Sequence, residues 1–205
     1  MILLSAVIIG LAAGLIRARC TGRSYQPYQL KHTWLVLLAF IPQWLAFVLP
    51  ATRTHLPNPW APPILVTSQV ILLVFCLLNW QKPGFWLLGL GLFLNLGVIL
   101  LNGGLMPISP ATAAWLVPNS SGNLWQVGER FGTGKDIVLS AASTRLWILS
   151  DRLITPDWLH YRLAFSLGDV LVAVGTIWVL WSNAGTIKNY DVRSYEHIIS
   201  THSTG

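Results

Sequence analysis

Apolar residues in this chain come in blocks that have no polar face. Residues 2–16, 34–50, 64–80, 85–101 and about 163–181 are almost wholly apolar, and stretches rich in polar residues, Pro or Gly separate them. A helix that is apolar all round is either a buried core helix or a membrane span. Five such blocks leave too little polar chain to wrap them in a soluble fold. The pattern therefore predicts an all-α integral membrane protein of about five transmembrane helices, forming one membrane domain over residues 1–182. Each block is short for a hydrocarbon core about 30 Å thick, so bilayer thinning or interfacial Trp and Arg must make up the difference.

Within the blocks, a few residues break the monotony. The first contains Gly10-Leu-Ala-Ala-Gly14, a spacing that puts two glycines on one helix face for close packing. No basic segment precedes this block and no small-residue cleavage site follows it, so a retained helix is expected and not a signal peptide. Pro42 beside Gln43 predicts a kink in the second block. Gln69 lies in the first half of the third block and Asn95 inside the fourth. The fifth opens on Ser166-Leu-Gly-Asp169, and Asp169 is the only acidic residue in any of the blocks.

Between the fourth and fifth blocks, residues 102–162 form the one sizeable extramembrane region, expected to lie back on the membrane. Asn102-Gly103-Gly104 reads as a helix C-cap, with Pro107 completing a turn motif, and Ser109-Pro110 as the start of a short surface helix. Residues 137–154 turn apolar again but are broken by Arg145, Asp151 and Arg152, which predicts an interfacial helix or hairpin. The 183–205 tail is polar.

Charge sets the orientation. The 17–33 loop carries Arg17, Arg19, Arg23 and Lys31, and the 81–84 turn carries Lys82. By the positive-inside rule these face the cytoplasm together with the tail, while the N-terminus and residues 102–162 face outside. Overall, 54% of residues are hydrophobic and only 10% charged, against about 25% charged in soluble domains. The net charge of +6 is scattered, which suits anionic lipid and topology and excludes a nucleic-acid surface. Trp34, Trp80, Trp86, Trp158 and Trp181 stand at block ends as an aromatic belt.

Candidate chemistry is sparse. His32, His55, His160, His197 and His202 all lie outside the blocks or at their edges, so no haem or chlorophyll ligated deep in the membrane by this chain is expected. Bound lipid, or a peripheral pigment near His160, remains compatible. Cys20 and Cys76 have no metal spacing, and no metal site is expected. Gly-Thr-Gly134-Lys135 invites a phosphate-loop reading. It fails, because Glu129 stands where the first Gly belongs and Asp136 where Ser or Thr is needed. Asn119-Ser-Ser121 fits a glycosylation acceptor, a three-residue match of low specificity. No catalytic constellation is present and an enzyme is not expected.

Asp169 carries two readings. Counted from the outer end of its block it lies roughly 9 Å deep, and Asn95, Gln69 and Gln43 fall near the same level on their own helices. The four side chains would form a polar layer. Equally, Ser166-x-x-Asp169 has capping-box spacing.

Three motifs in order carry a resemblance. They are Asn102-Gly-Gly-Leu-Met-Pro107, Thr144-Arg145-Leu146 leading to Asp151, and Ser166-Leu-Gly-Asp169 followed by Gly175. Over roughly residues 1–182 the chain resembles the bacterial membrane family known as domain of unknown function 5317. The resemblance implies the fold and topology, a place in the bacterial inner membrane, and no particular activity. Two functions lead, ahead of a third, an envelope enzyme with its site in residues 102–162. One is a structural or accessory subunit of a larger membrane complex, photosynthetic or respiratory, with other membrane subunits and the bilayer as partners. The other is a small transporter or ligand-binding membrane protein that uses the layer of Gln43, Gln69, Asn95 and Asp169.

Overall fold

The computed structural model describes residues 2–118, 125–159 and 161–187. His160, the 119–121 acceptor and the tail beyond Ile187 lie outside the described residues. The chain is mostly helical. The long helices are α1 (Ile2–Cys20), α2 (Trp34–Gln43), α4 (Ala61–Leu78), α5 (Phe85–Leu101) and α7 (Leu167–Trp181), with short α3 (Pro50–Arg53) and α6 (Pro110–Leu116) between them. Two apolar helical stretches, Ile2–Cys20 and Asn58–Leu78, are long enough to cross a membrane. Only 22% and 28% of their apolar windows are buried, whereas the core helix of a soluble protein would be mostly buried. Three more apolar helices, Trp34–Val48, Phe85–Leu101 and Leu167–Trp181, are shorter.

Local sequence explains where the helices bend and stop. Pro42 lacks an N–H, and the helix passes into a π turn over Trp44–Val48 directly after it. Helix α1 runs on past Ile16 through its arginines to Cys20, and the Arg17 guanidinium sits 4.4 Å over the Trp181 ring. Gly103 and Gly104 take positive φ of 83° and 84°, and the Gly104 N–H donates to the Ile99 carbonyl, ending α5. Helix α7 starts at Leu167, later than the apolar run, because Ala164–Phe165 (β5) pairs antiparallel with Leu153–Ile154 (β4).

The long helices pack in series: α1 on α7, α7 on α5, α5 on α4 and α4 on α2. The Gly10–Gly14 face of α1 lies against α7; a Cβ on Gly14 would come within 2.6 Å of the Leu180 carbonyl oxygen. Helices α5 and α7 meet through Gly84 and Gly91 on one side and Gly168 and Gly175 on the other. At the basic end, β1 (Arg23–Tyr25) pairs antiparallel with β6 (Ala184–Ile187).

The region after α5 departs from the expected helix or hairpin over 137–154. Met106–Ile108 (β2) and Asp136–Val138 (β3) form a parallel pair, and a 3₁₀ turn, Trp147–Leu149, and the short strand β4 follow. Part of this region packs onto the helices: Leu105, Met106, Ile137 and Leu149 join Leu65, Val98 and Ile99. It also has a small core of its own around Ile108, Ala113 and Val138, with Trp125 and Phe131 against it, which its apolar runs alone do not reveal.

Candidate functional site

Asp169 sits in the first turn of α7, where backbone N–H groups lack helical partners. Both halves of a capping box are made. The Asp169 N–H donates to Ser166 Oγ at 2.9 Å, and the Ser166 N–H donates to Asp169 Oδ2 at 3.2 Å. Asn95 of α5 completes a ring across the helix seam. Its Nδ2 donates to Asp169 Oδ1 at 2.8 Å, and its Oδ1 accepts from Ser166 Oγ at 2.8 Å. Ser166 is fully buried and Asn95 is 6% exposed. Gly168 is what lets the amide in, since a Cβ there would lie 2.6 Å from Asn95 Cγ and 2.8 Å from the Gly91 carbonyl oxygen.

Asp169 and Asn95 also line a cavity of about 570 Å³. Gln43 from α2 and Gln69 from α4 line the same space, with Ile2 and Leu3 of α1 closing one side. The four polar residues thus meet around one cavity, but not in one network. Gln43 Nε2 and Gln69 Oε1 are buried and have no hydrogen-bond partner among the described residues, whereas every polar side-chain atom of Asn95 is bonded.

A fifth polar group at this cavity is Lys135, which the failed phosphate-loop reading passed over. The β2–β3 pairing delivers it: the Met106 N–H donates to the Lys135 carbonyl, and Asp136 lies opposite Met106. The Lys135 ammonium donates to Asp151 Oδ2 at 2.7 Å and to Asp136 Oδ1 at 3.0 Å. It is surrounded by protein yet keeps 42% of its side-chain surface accessible, as befits a group in the cavity wall. Burial would lower its pKa, but Asp136, Asp151 and Asp169 outweigh that and hold it well above the usual lysine value. Asp151, 2% exposed, is pushed up to about 7 by burial, with Asp136 and Asp169 adding to the rise and Lys135 opposing it. One ammonium among three carboxylates leaves one acid holding its proton near neutrality. Asp151 Oδ1 has no partner among the described residues.

The turn motif braces this arrangement. Asn102 Nδ2 donates to the Val98 and Arg145 carbonyls at 2.8 and 2.9 Å, and its Oδ1 accepts the Arg145 N–H at 2.9 Å. Pro107 is buried and its carbonyl accepts the Asp151 N–H. The three motifs far apart in sequence are therefore one assembly: Asn102 holds Arg145, Pro107 holds Asp151, and Asp151 holds Lys135 at the cavity that Asp169 lines. Of these, Asp136 and Lys135 carried no usable sequence signal beyond being charges in a chain with few. His32 and His55 stand elsewhere, and among the described residues no group of three His, Cys, Asp or Glu gathers to hold a metal.

The model of the family of unknown function DUF5317 matches residues 27–181, and the chain belongs to that family. The match begins after α1, so it covers the turn motif, the Lys135 loop and α7. No curated protein and no solved structure matches this chain.

Proposed function

We propose that this is a five-span protein of the bacterial inner membrane that binds a small ligand in the cavity between its helices. One observation supports the reading: polar side chains from four helices and the outer region converge on one cavity, and two of the amides each bury an atom that has no partner among the described residues. Buried polar groups are nearly always paired, so an unpaired set around a space of this size is what a ligand would complete. Exposed apolar residues such as Leu4, Phe40, Leu77 and Phe93 supply the lipid-facing surface. Arg17, Lys31 and Lys82 sit at one end, tied together through Trp181, Asn79 and Tyr28, and we assign that end to the cytoplasm.

Two measurements test this. Native mass spectrometry of protein purified in mild detergent is expected to show a bound small molecule that a Gln43→Leu/Gln69→Leu double variant loses. Stoichiometric co-migration with a larger complex, without such a molecule, would replace ligand binding with the accessory-subunit role. For orientation, exposed Cys20 is expected to react with a membrane-impermeant thiol reagent only from the inside, and a cysteine at exposed Val127 only from the outside. Reaction of both from one side would remove the five-span topology.

A further inference from the structure

The walls of this cavity differ along its length. On α4 and α5 the polar lining residue lies toward the outer region and the apolar lining lies deeper; on α7 Asp169 does the same, and Thr176, deeper still, donates its hydroxyl to the Val172 carbonyl of its own helix. On α4, Gln69 is followed by Leu72 and Phe75; on α5, Leu88 and Leu92 precede Asn95; on α7, Val172 follows Asp169. A ligand matching this gradient has a polar head under the outer region and an apolar body running toward the basic end.

The head's charge follows from what is already satisfied. The Lys135 ammonium is engaged by Asp136 and Asp151. Asp169 has no cation within ion-pair distance among the described residues, and its two oxygens accept one hydrogen bond each. A carboxylate offers about four acceptor positions, so Asp169 keeps lone pairs free at the cavity. With Asp151 holding its proton near neutrality, the Lys135 ammonium still faces two carboxylates at this end, Asp136 and Asp169. Gln69 Oε1 and Gln43 Nε2 are buried and unpartnered among the described residues, and become an acceptor and a donor for a ligand once their amides turn into the cavity they line. An anionic head would meet Asp169 unpaired. A neutral one would leave it unpaired.

We propose, resting on the cavity reading above, that the ligand is an amphiphile with an ammonium head and a neighbouring oxygen acceptor, the pattern of a long-chain amino alcohol or an amino-headed lipid. The ammonium donates to Asp169 and to Gln69 Oε1, the oxygen accepts from Gln43 Nε2, and the chain lies along Leu72, Phe75, Leu92 and Val172.

The test uses the full chain in phosphatidylcholine nanodiscs and compares sphinganine with dodecanol and dodecanoate in equilibrium binding. Sphinganine is expected to bind saturably and at least tenfold tighter than either. Asp169→Asn is expected to abolish that preference, and Gln69→Leu to weaken sphinganine binding about tenfold while the thermal midpoint of the unloaded protein holds. Gln69→Leu keeps the test open should Asp169→Asn disturb the helix cap. Dodecanol or dodecanoate binding as well as sphinganine, with loss in Gln69→Leu, would overturn the ammonium head and leave the cavity reading standing. No probe binding in a manner sensitive to Gln69→Leu would overturn both. Competition by phosphatidylethanolamine placed in the nanodisc would mark the bilayer as the source; sphinganine binding without that competition would mark a free amine.

Discussion

The seam between α5 and α7 and the cavity beside it are built from the same kinds of residue and treat them in opposite ways. In the seam, Gly91 and Gly168 bring the backbones together and the Asn95 amide is bonded at both its oxygen and its nitrogen. Across the cavity, Gln43 and Gln69 line the space, and each keeps one amide atom buried and unpaired among the described residues. An amide in apolar surroundings is tolerable when every partner is supplied and costly when it is not. Chemical type therefore does not separate structural from functional residues here; the state of the partners does. Asn95 reads as part of the frame, and Gln43 and Gln69 as part of the site.

The largest effect should come from closing the seam. Gly168→Ala puts a methyl group against the Asn95 side chain and the Gly91 carbonyl, neither of which is a free side-chain end. Overpacking of this kind costs about 3 kcal/mol at the upper end of its usual range. Thermal unfolding in detergent should show a large drop, with loss of folded protein a second acceptable form of the same result. Gly97→Ala is the control, since nothing lies within 4 Å of a Cβ there and the helix gains propensity. Equal behaviour of the two would mean that α5 and α7 are not held at backbone contact.

Second is the ring itself. Asn95→Ala removes partners from buried Ser166 Oγ and from Asp169 Oδ1 at once. Leaving such groups unsatisfied costs about 2 kcal/mol, readable as a lowered unfolding midpoint. The ring also sharpens what Asp169→Asn does. Each carboxylate oxygen accepts one bond, so an Asn at 169 satisfies only one of them and turns a donor toward the other partner. The spacing Ser166-x-x-Asp169 alone suggests a mild substitution, and the cross-seam Asn95 makes it a harsher one.

That difference marks how far local sequence reaches. The apolar blocks, the glycine face of α1, the break after Pro42 and the start of α7 at Ser166 all follow from residues within a turn or two of each other. Lys135 does not, because its partner Asp151 lies 16 residues on and both depend on the pairing of Asp136–Val138 with Met106–Ile108. Strand pairing over such separations leaves no periodic trace. Residues 137–154 look like an interfacial helix for the same reason: Ile137 and Val138 are apolar to pair with β2 and fill two small cores, not to line one helix face. Likewise residues 163–165 look like the start of the last span and are consumed by the β4–β5 pair.

The third effect is pH-dependent and belongs to the lysine cluster. Asp151 holds its proton up to about 7, against 3.8 for an ordinary aspartate. Between those values the folded protein binds more protons than the unfolded chain, so stability falls as pH rises, and the contribution is gone once pH passes about 7. A fall of about 1 kcal/mol between pH 6 and pH 7 is expected, measured by chemical or thermal unfolding. Asp151→Asn keeps an oxygen for Lys135 and should flatten this part of the profile. A profile equally steep in the variant would place the titrating group elsewhere.

The smallest effect on stability, and the one that decides between frame and site, is Gln69→Leu. If Gln69 were a structural member like Asn95, its loss would cost about as much as Asn95→Ala. Instead Gln69 Oε1 has no partner to lose, and an apolar side chain of similar size suits the Leu72 and Phe75 lining beneath it. The expected change in stability is within about 0.5 kcal/mol, of either sign. Measured side by side in ligand-free protein, Asn95→Ala should lower the unfolding midpoint and Gln69→Leu should leave it in place. A large loss for Gln69→Leu would move that amide from the site into the frame and reduce the cavity to a packing defect.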